Sequence, residues 1–146
     1  MTVLAACDRE YFFFEAKEIS SSGWNADEPA VFEFDTQDTS SYLNFFLDLR
    51  NTDDYPYRNI YCFIEMEFPN GRSLTDTLHY PTLATPEGKW TGKGVGSTYD
   101  SNILYKQGKK LPLPGEYRIK VTHAMRDRTL VGIERVGIHI ESGLVR

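Results

Sequence analysis

Alternation of apolar and polar residues with a period of two is the feature that most limits how this chain can fold. Between Tyr42 and Arg50, the apolar residues Leu43, Phe45, Leu47 and Leu49 alternate with Asn44, Phe46, Asp48 and Arg50. Successive side chains of a strand point to opposite faces, whereas a helix would repeat its apolar positions every three or four residues. The pattern therefore predicts a strand in a sheet that has one buried side.

Similar strands are predicted along the rest of the chain. Phe32 and Phe34 mark a short strand, and a hairpin runs from Ile60 to Tyr80 with Pro69-Asn70-Gly71 at its turn, where Asn-Gly tolerates the positive φ that tight hairpins need. A later strand points five residues inward, and the next one points three: Tyr117, Ile119, Val121, His123 and Met125, then Val136, Ile138 and Ile140. The Gly- and Pro-containing residues 81–102 are expected to form a long structured loop or broken strands.

These segments predict about seven or eight strands, and no helical pattern separates them. Short strands at this spacing favour two packed antiparallel sheets, so we expect an all-β, single-domain antiparallel β-sandwich of jelly-roll-like form. A length of 146 residues fits one domain. Within it we expect residues 1–7 to be the end of a signal peptide, residues 8–30 a tether and first strand, and residues 31–146 the sandwich.

The N-terminal residues Leu4-Ala5-Ala6-Cys7 resemble a bacterial lipobox, the cleavage and acylation signal of exported lipoproteins. Small alanine side chains give a peptidase access to the bond before Cys7, whose thiol would carry the lipid. A signal peptide also needs about 7–15 apolar residues, whereas six residues precede Cys7. An ordinary N-terminus is the alternative, because so short a motif also arises by chance. The lipobox predicts a membrane anchor at Cys7.

Composition and motifs argue against several function classes. A formal charge of −5 opposes binding to nucleic acid, which needs clustered Lys and Arg. The run from Gly88 to Gly94 lacks the spacing of a phosphate loop, which argues against nucleotide binding. His79, His123 and His139 lack the spacing of a zinc site, and Cys62 alternates with apolar residues, so we expect structural roles, no metal and no cofactor.

One group of residues could form a binding surface for a partner or a ligand: Arg50, Tyr55, Tyr57, Asn59, Trp90 and Tyr99. Flat aromatic rings beside Asn and Arg can stack on sugars or contact proteins. Tyr55-Pro56-Tyr57 could equally be a rigid corner, because proline fixes φ and the hydroxyls can bond loop carbonyls. The glycines around Trp90 suggest a closely folded backbone and a largely buried ring.

Several short strings, taken together and in order, resemble the GldH lipoproteins of Bacteroidota over nearly the whole domain. They are Leu49-Arg50, Tyr55-Pro56-Tyr57-Arg58-Asn59, Gly71, Asp76-Thr77, Gly88-Lys89-Trp90-Thr91-Gly92-Lys93-Gly94, Gly115-Glu116-Tyr117, Met125-Arg126, Leu130-Val131-Gly132-Ile133 and Val136-Gly137-Ile138. The resemblance implies an exported envelope lipoprotein associated with gliding motility and with the secretion machinery coupled to it. It implies no catalytic residue.

The sequence thus favours a non-enzymatic, membrane-tethered accessory protein that contacts other envelope proteins of a motility or secretion machine. The alternative is a carbohydrate-binding module for cell-surface glycans, and an enzyme is the third hypothesis. A sandwich fold is compatible with all three. Whether Tyr55, Tyr57 and Trp90 line an open groove or lie buried should help to discriminate between them.

Overall fold

The computed structural model of the protein describes residues 11–143, and in this range it contains strands, turns and bends without a helix. It therefore shows no helix long and apolar enough to cross a membrane within these residues. The described strands are β1 (Tyr11–Glu18), β2 (Trp24–Asn25), β3 (Ala30–Thr36), β4 (Leu43–Thr52), β5 (Ile60–Glu67), β6 (Ser73–Tyr80), β7 (Lys93–Val95), β8 (Thr98–Lys109), β9 (Gly115–His123), β10 (Thr129–Leu130) and β11 (Ile133–Ser142).

Two antiparallel sheets contain all but two of these strands. One has the order β1-β11-β4-β8-β7 and the other the order β3-β9-β5-β6, while β2 and β10 form a separate short pair. Without the short strands β2, β7 and β10, eight strands remain in two sheets of four, in the strand order of a jelly roll. This confirms the predicted all-β antiparallel sandwich.

The core lies between the two large sheets and consists of the inward-facing residues that the alternation predicted. Leu43, Phe45, Leu47 and Leu49 of β4 are buried, and they share one cluster with inward residues of the opposite sheet: Ile60, Cys62, Ile64, Met66, Tyr117, Ile119 and Val121. Complete burial of each such side chain contributes about 1.5–3 kcal/mol. Met125 follows the end of β9 and is only partly buried.

The first described strand belongs to the sandwich. β1 pairs with β11 from Tyr11↔Glu141 to Glu18↔Arg135, and the ring of Trp24 is in the core. The strand expected within residues 8–30 is therefore β1. Cys7 and the lipobox lie outside the described residues.

Residues 81–102 combine a loop with strands. Ala84 and Trp90 form an isolated bridge, β7 follows, and β8 begins at Thr98. The length of β8 was not predicted, because its alternation is irregular: Leu104 points outward and is exposed, and the pairing with β4 shifts register twice.

Candidate functional site

Four of the six residues predicted as a binding surface come together at one end of the sandwich. The ring centroids of Tyr55 and Tyr57 are 5.9 Å apart, those of Tyr55 and Trp90 6.3 Å, and those of Trp90 and Tyr99 5.8 Å. These separations lie within the range of favourable aromatic pairs. We call Tyr55, Tyr57, Trp90 and Tyr99 the aromatic corner.

Tyr55 is the structural centre of the aromatic corner. Its side chain is buried, and its hydroxyl donates a hydrogen bond to the carbonyl oxygen of Asn59 at 2.6 Å. Burial also raises the pKa of this hydroxyl above its usual value. Gly132 packs against the Tyr55 backbone with φ of +90°, and a Cβ at this position would lie 2.4 Å from the Tyr55 nitrogen. Tyr55 therefore presents no free ring face to a ligand.

The other rings of the corner are partly exposed and are held by acidic residues. The Tyr57 hydroxyl donates to Asp127 Oδ1 at 2.7 Å, and Trp90 Nε1 donates to Asp53 Oδ1 at 3.0 Å. The hydrogen bond to Asp127 raises the pKa of the Tyr57 hydroxyl. These hydrogen bonds hold the rings of the aromatic corner in place, and Tyr57 lies on its outer side.

The expectation that Trp90 is largely buried is met in part. Trp90 is only partly buried at the margin of the core, whereas Trp24 is the tryptophan enclosed within it. The glycines that follow Trp90 do permit close approach of the backbone, but they approach β8 and not the Trp90 ring. A Cβ on Gly92 would lie 2.8 Å from the carbonyl oxygen of Asp100, and one on Gly94 would lie 3.3 Å from the Tyr99 ring.

The remaining two predicted surface residues lie outside this corner. Arg50 is on the outer face of the five-stranded sheet, where its Nε and Nη2 donate to Asp100 at 2.8 and 3.2 Å. The Asn59 side-chain nitrogen lies 3.2 Å from His79 Nε2, on the side of the four-stranded sheet. The sequence grouped these residues by proximity in the chain, and the pairing of strands separates them.

The outer face of the four-stranded sheet carries exposed aromatic residues that sequence reasoning did not single out. Tyr61 and Phe63 are 40% and 45% exposed on β5, and the Tyr61 ring stacks on His79 at 4.0 Å. Tyr57 lies close to Tyr61, and both line a shallow depression together with Met125. We call Tyr57, Tyr61, Phe63 and His79 the aromatic face. The signal was available, because inward Cys62 and Ile64 place Tyr61 and Phe63 outward.

A groove of about 300 Å³ on the outer face of the five-stranded sheet was also missed. Three rows of cross-strand neighbours run across this part of the sheet. The first row contains Phe14, His139, Phe46 and Leu104; the second Ala16, Gly137, Asp48 and Asn102; the third Glu18, Arg135, Arg50 and Asp100. The small residues of the second row lie between larger ones. We call the depression bounded by Tyr11, Phe14, Ala16, Asp48, Arg50 and Arg135 the outer groove.

His139 lies at the base of the outer groove and contacts two carboxylates. Its Nδ1 is 2.7 Å from Asp48 Oδ2 and its Nε2 is 3.1 Å from Glu141 Oε2, while Asn102 Nδ2 donates to Asp48 Oδ1 at 2.6 Å. Phe46 stacks on the imidazole at 4.5 Å. Burial of the ring opposes protonation, but the hydrogen bonds and charges of Asp48 and Glu141 outweigh it and raise the His139 pKa.

The other buried histidine has a structural role. His123 Nε2 lies 3.0 Å from the carbonyl oxygen of Trp24, and its Nδ1 accepts the backbone N–H of Met125 at 3.2 Å. Both ring nitrogens are therefore engaged by the backbone. Within residues 11–143, no three His, Cys, Asp or Glu side chains are placed to hold a metal ion.

Comparison with known protein families decides which family the chain belongs to. The model of the GldH lipoprotein family matches residues 11–140, which is almost the whole described range. The chain belongs to the GldH lipoprotein family. The earlier resemblance is thereby confirmed, and family membership places the chain among the membrane-anchored lipoproteins of the cell envelope.

Two curated GldH relatives align over nearly the whole chain. The gliding motility lipoprotein GldH homolog of Christiangramia forsetii is 32% identical, and the alignment covers 95% of this chain and 88% of the relative. The gliding motility lipoprotein GldH of Flavobacterium johnsoniae is 31% identical, with 95% and 89% covered.

Solved structures show only distant likeness to this GldH-family chain. Latent PorU from Porphyromonas gingivalis has a TM-score of 0.39 at 12% identity, covering 98% of this chain and 14% of PorU. The CBM35 of Abf62 from Cellvibrio japonicus has a TM-score of 0.31 at 15% identity, with 97% and 96% covered. Both TM-scores are low, so these proteins say nothing about what the chain binds.

Proposed function

We propose that the protein is a non-enzymatic accessory of gliding motility and its associated secretion machinery, and that it works by contacting another envelope protein. The aromatic face is the observation that supports this function. Tyr61 and Phe63 expose two-fifths or more of their surface from a central region of the four-stranded sheet. Exposed aromatic rings on a rigid strand are the residues that most often dominate binding energy at protein interfaces.

The charges around the aromatic face suit a protein partner. Arg118 Nη2 lies 3.1 Å from Glu33 Oε2, and Lys120 Nζ lies 3.8 Å from Glu65 Oε1. Mixed charges of this kind surround many protein interfaces, where they fix orientation and contribute little affinity. The apolar rings would supply the affinity, and the surrounding pairs would select the partner.

The buried thiol and the two buried histidines support a role without catalysis. Burial raises the pKa of the Cys62 thiol to about 12, so this thiol cannot serve as a nucleophile at neutral pH. Both ring nitrogens of His123 bond to the backbone, and both nitrogens of His139 face carboxylates. Neither imidazole has a nitrogen available to act as a base for a hydroxyl nucleophile.

Membrane attachment through Cys7 is part of the same proposal. When the full reading frame is expressed in its host, the protein should partition with membranes, and Cys7→Ser should release it because the acylated residue supplies the anchor. Membrane fractionation and detergent partitioning measure this. Unchanged partitioning of the variant would overturn the anchor while leaving the proposal for the aromatic face intact.

Photocrosslinking in the host tests the partner surface. A photoreactive phenylalanine analogue at Phe63 should yield one crosslinked product with an envelope protein, and the same analogue at Val95 should not. Val95 is a suitable control because it is also an exposed apolar strand residue, but lies on β7 of the other sheet. Tyr61→Ala should weaken the product from position 63 and reduce colony spreading. Equal crosslinking from both positions would contradict the proposal.

A further inference from the structure

We propose that the outer groove binds a neutral saccharide segment. This site lies on the opposite sheet from the aromatic face, and it does not depend on the proposed protein contact. The inference rests on the juxtaposition of exposed rings, a floor of small residues and a set of polar groups whose charges, apart from that of Lys93, are already paired.

Two rings form the apolar wall of the groove. Phe14 is 61% exposed and Tyr11 51% exposed, and their rings stack on each other at 5.7 Å and 29°. Tyr11 also meets His139 edge-on at 5.4 Å, which holds it beside the polar floor. An exposed ring next to hydrogen-bonding groups offers what a pyranose needs, because one face of the sugar carries C–H groups and its rim carries hydroxyls.

The floor of the groove permits close approach to the sheet. Ala16 and Gly137 are paired in register between the ring wall and the arginine row, so no long side chain fills the space there. The volume of about 300 Å³ lies at the lower end of the range for small-molecule sites. A saccharide segment of one or two sugar rings fits this volume better than a long polymer that is enclosed on all sides.

Lys93 also lines the groove, but the other charged groups there are paired and match hydroxyls better than they match a charged ligand. Arg50 is paired with Asp100, Arg135 with Glu18, and His139 with Asp48. Arg135 uses Nε and Nη2 for Glu18, so Nη1 is the nitrogen it can offer a ligand, and Asn102 can offer its amide oxygen. A hydroxyl both donates and accepts, so it can bond to either group without disturbing the ion pairs.

An extended peptide suits the groove less well. Peptides that bind sheets pair with the free backbone of an edge strand, whereas most of the polar part of the groove lies over β11, β4 and β8. All three are internal strands with hydrogen-bonded neighbours on each side. A peptide would find no strand backbone to pair with there, and its charged side chains would compete with pairs that already exist.

Titration calorimetry of the full chain in detergent tests the proposal. The probes are tetrasaccharides of glucose, mannose, galactose, xylose and N-acetylglucosamine, with tetragalacturonate as the anionic probe. At least one neutral probe should bind. Phe14→Ala should weaken that binding about tenfold through loss of ring stacking, and Ala16→Leu should abolish it by filling the floor. Because both residues are exposed, neither change should unfold the protein.

A matched control distinguishes binding in the groove from non-specific binding to exposed aromatic rings. Tyr42 is 44% exposed and lies outside the lining of the groove, so Tyr42→Ala should bind the neutral probe like the unmodified protein. Absence of binding to every neutral probe at millimolar concentration would overturn the proposal. Binding of tetragalacturonate alone, lost at raised salt, would also overturn it, because cations rather than rings would then recognise the ligand.

Discussion

The two outer faces of the sandwich differ although both sheets follow the same alternation. On the four-stranded sheet, Tyr61 and Phe63 stand on a surface with only a shallow depression beside them. On the five-stranded sheet, Ala16 and Gly137 lie between rows of larger residues, which produces the outer groove. Side-chain size along one cross-strand row, rather than hydrophobicity, therefore separates a surface suited to docking from one suited to a small ligand.

The faces also differ in how they hold a histidine. His79 is exposed and stacks on Tyr61, whereas His139 is 4% exposed although it points away from the core. Phe46, Tyr11 and two carboxylates cover it. A side chain that points outward from a strand is therefore not always in contact with solvent. On the outer face of the five-stranded sheet, His139 and its two carboxylate partners form a partly buried polar cluster.

The largest expected effect is on stability, and it distinguishes these two histidines. His139→Ala should lower the free energy of unfolding by about 2–4 kcal/mol, because it leaves partly buried carboxylates without their shared partner. His79→Ala should change it by about 0.5 kcal/mol or less, as is usual for surface positions. Urea denaturation followed by circular dichroism measures both. Equal costs would remove the distinction between the faces.

A smaller effect is expected in the pH dependence of stability. The folded-state pKa of His139 lies above the ordinary value of 6.5, so protonation stabilises the folded state. This contribution is complete below that ordinary value and is lost as the pH rises through the folded pKa. The urea midpoint should therefore fall across this window more steeply in the unmodified protein than in His139→Gln. His79→Gln should retain the original slope.

The smallest stability effects, combined with opposite binding defects, are expected for two exposed phenylalanines. For Phe14→Ala and Phe63→Ala the free energy of unfolding should in each case stay within about 1 kcal/mol of that of the unmodified protein, because both rings lie at the surface. Phe14→Ala should weaken saccharide binding about tenfold and keep the protein crosslink from position 63, whereas Phe63→Ala should keep saccharide binding and weaken a protein crosslink made from position 61. Loss of both activities in either variant would show that the two faces form one functional unit.

The sequence predicted the interior better than the surface. Strict alternation in β4 and β9 identified their buried residues, because a period of two together with an apolar face leaves one orientation possible. The hairpin at Asn70-Gly71 was predicted for a similar local reason, and Gly71 has the expected positive φ. By contrast β8 was missed, since its outward Leu104 and shifted register obscure the pattern.

The candidate sites needed information that local sequence does not contain. Tyr55, Tyr57, Trp90 and Tyr99 do lie together, yet Tyr55 packs against Gly132, which is distant in the chain. The outer groove requires the register that aligns Ala16, Gly137 and Asp48 across three strands. A single sequence specifies which face a residue points to, but not which residues stand beside it.

The position of β1 has a mechanical consequence. β1 is an edge strand, and its first residue, Tyr11, leads back along the chain toward Cys7. Tension on an anchor at that cysteine would reach the domain through the β1–β11 ladder, and a pull along the strand would load its hydrogen bonds together instead of peeling them one by one. Phe12 and Phe13 contact Phe34 of the opposite sheet and would resist sliding. Because forced unfolding depends on the unfolding rate, such a ladder would let a small lipoprotein bear a load between the membrane and its partner.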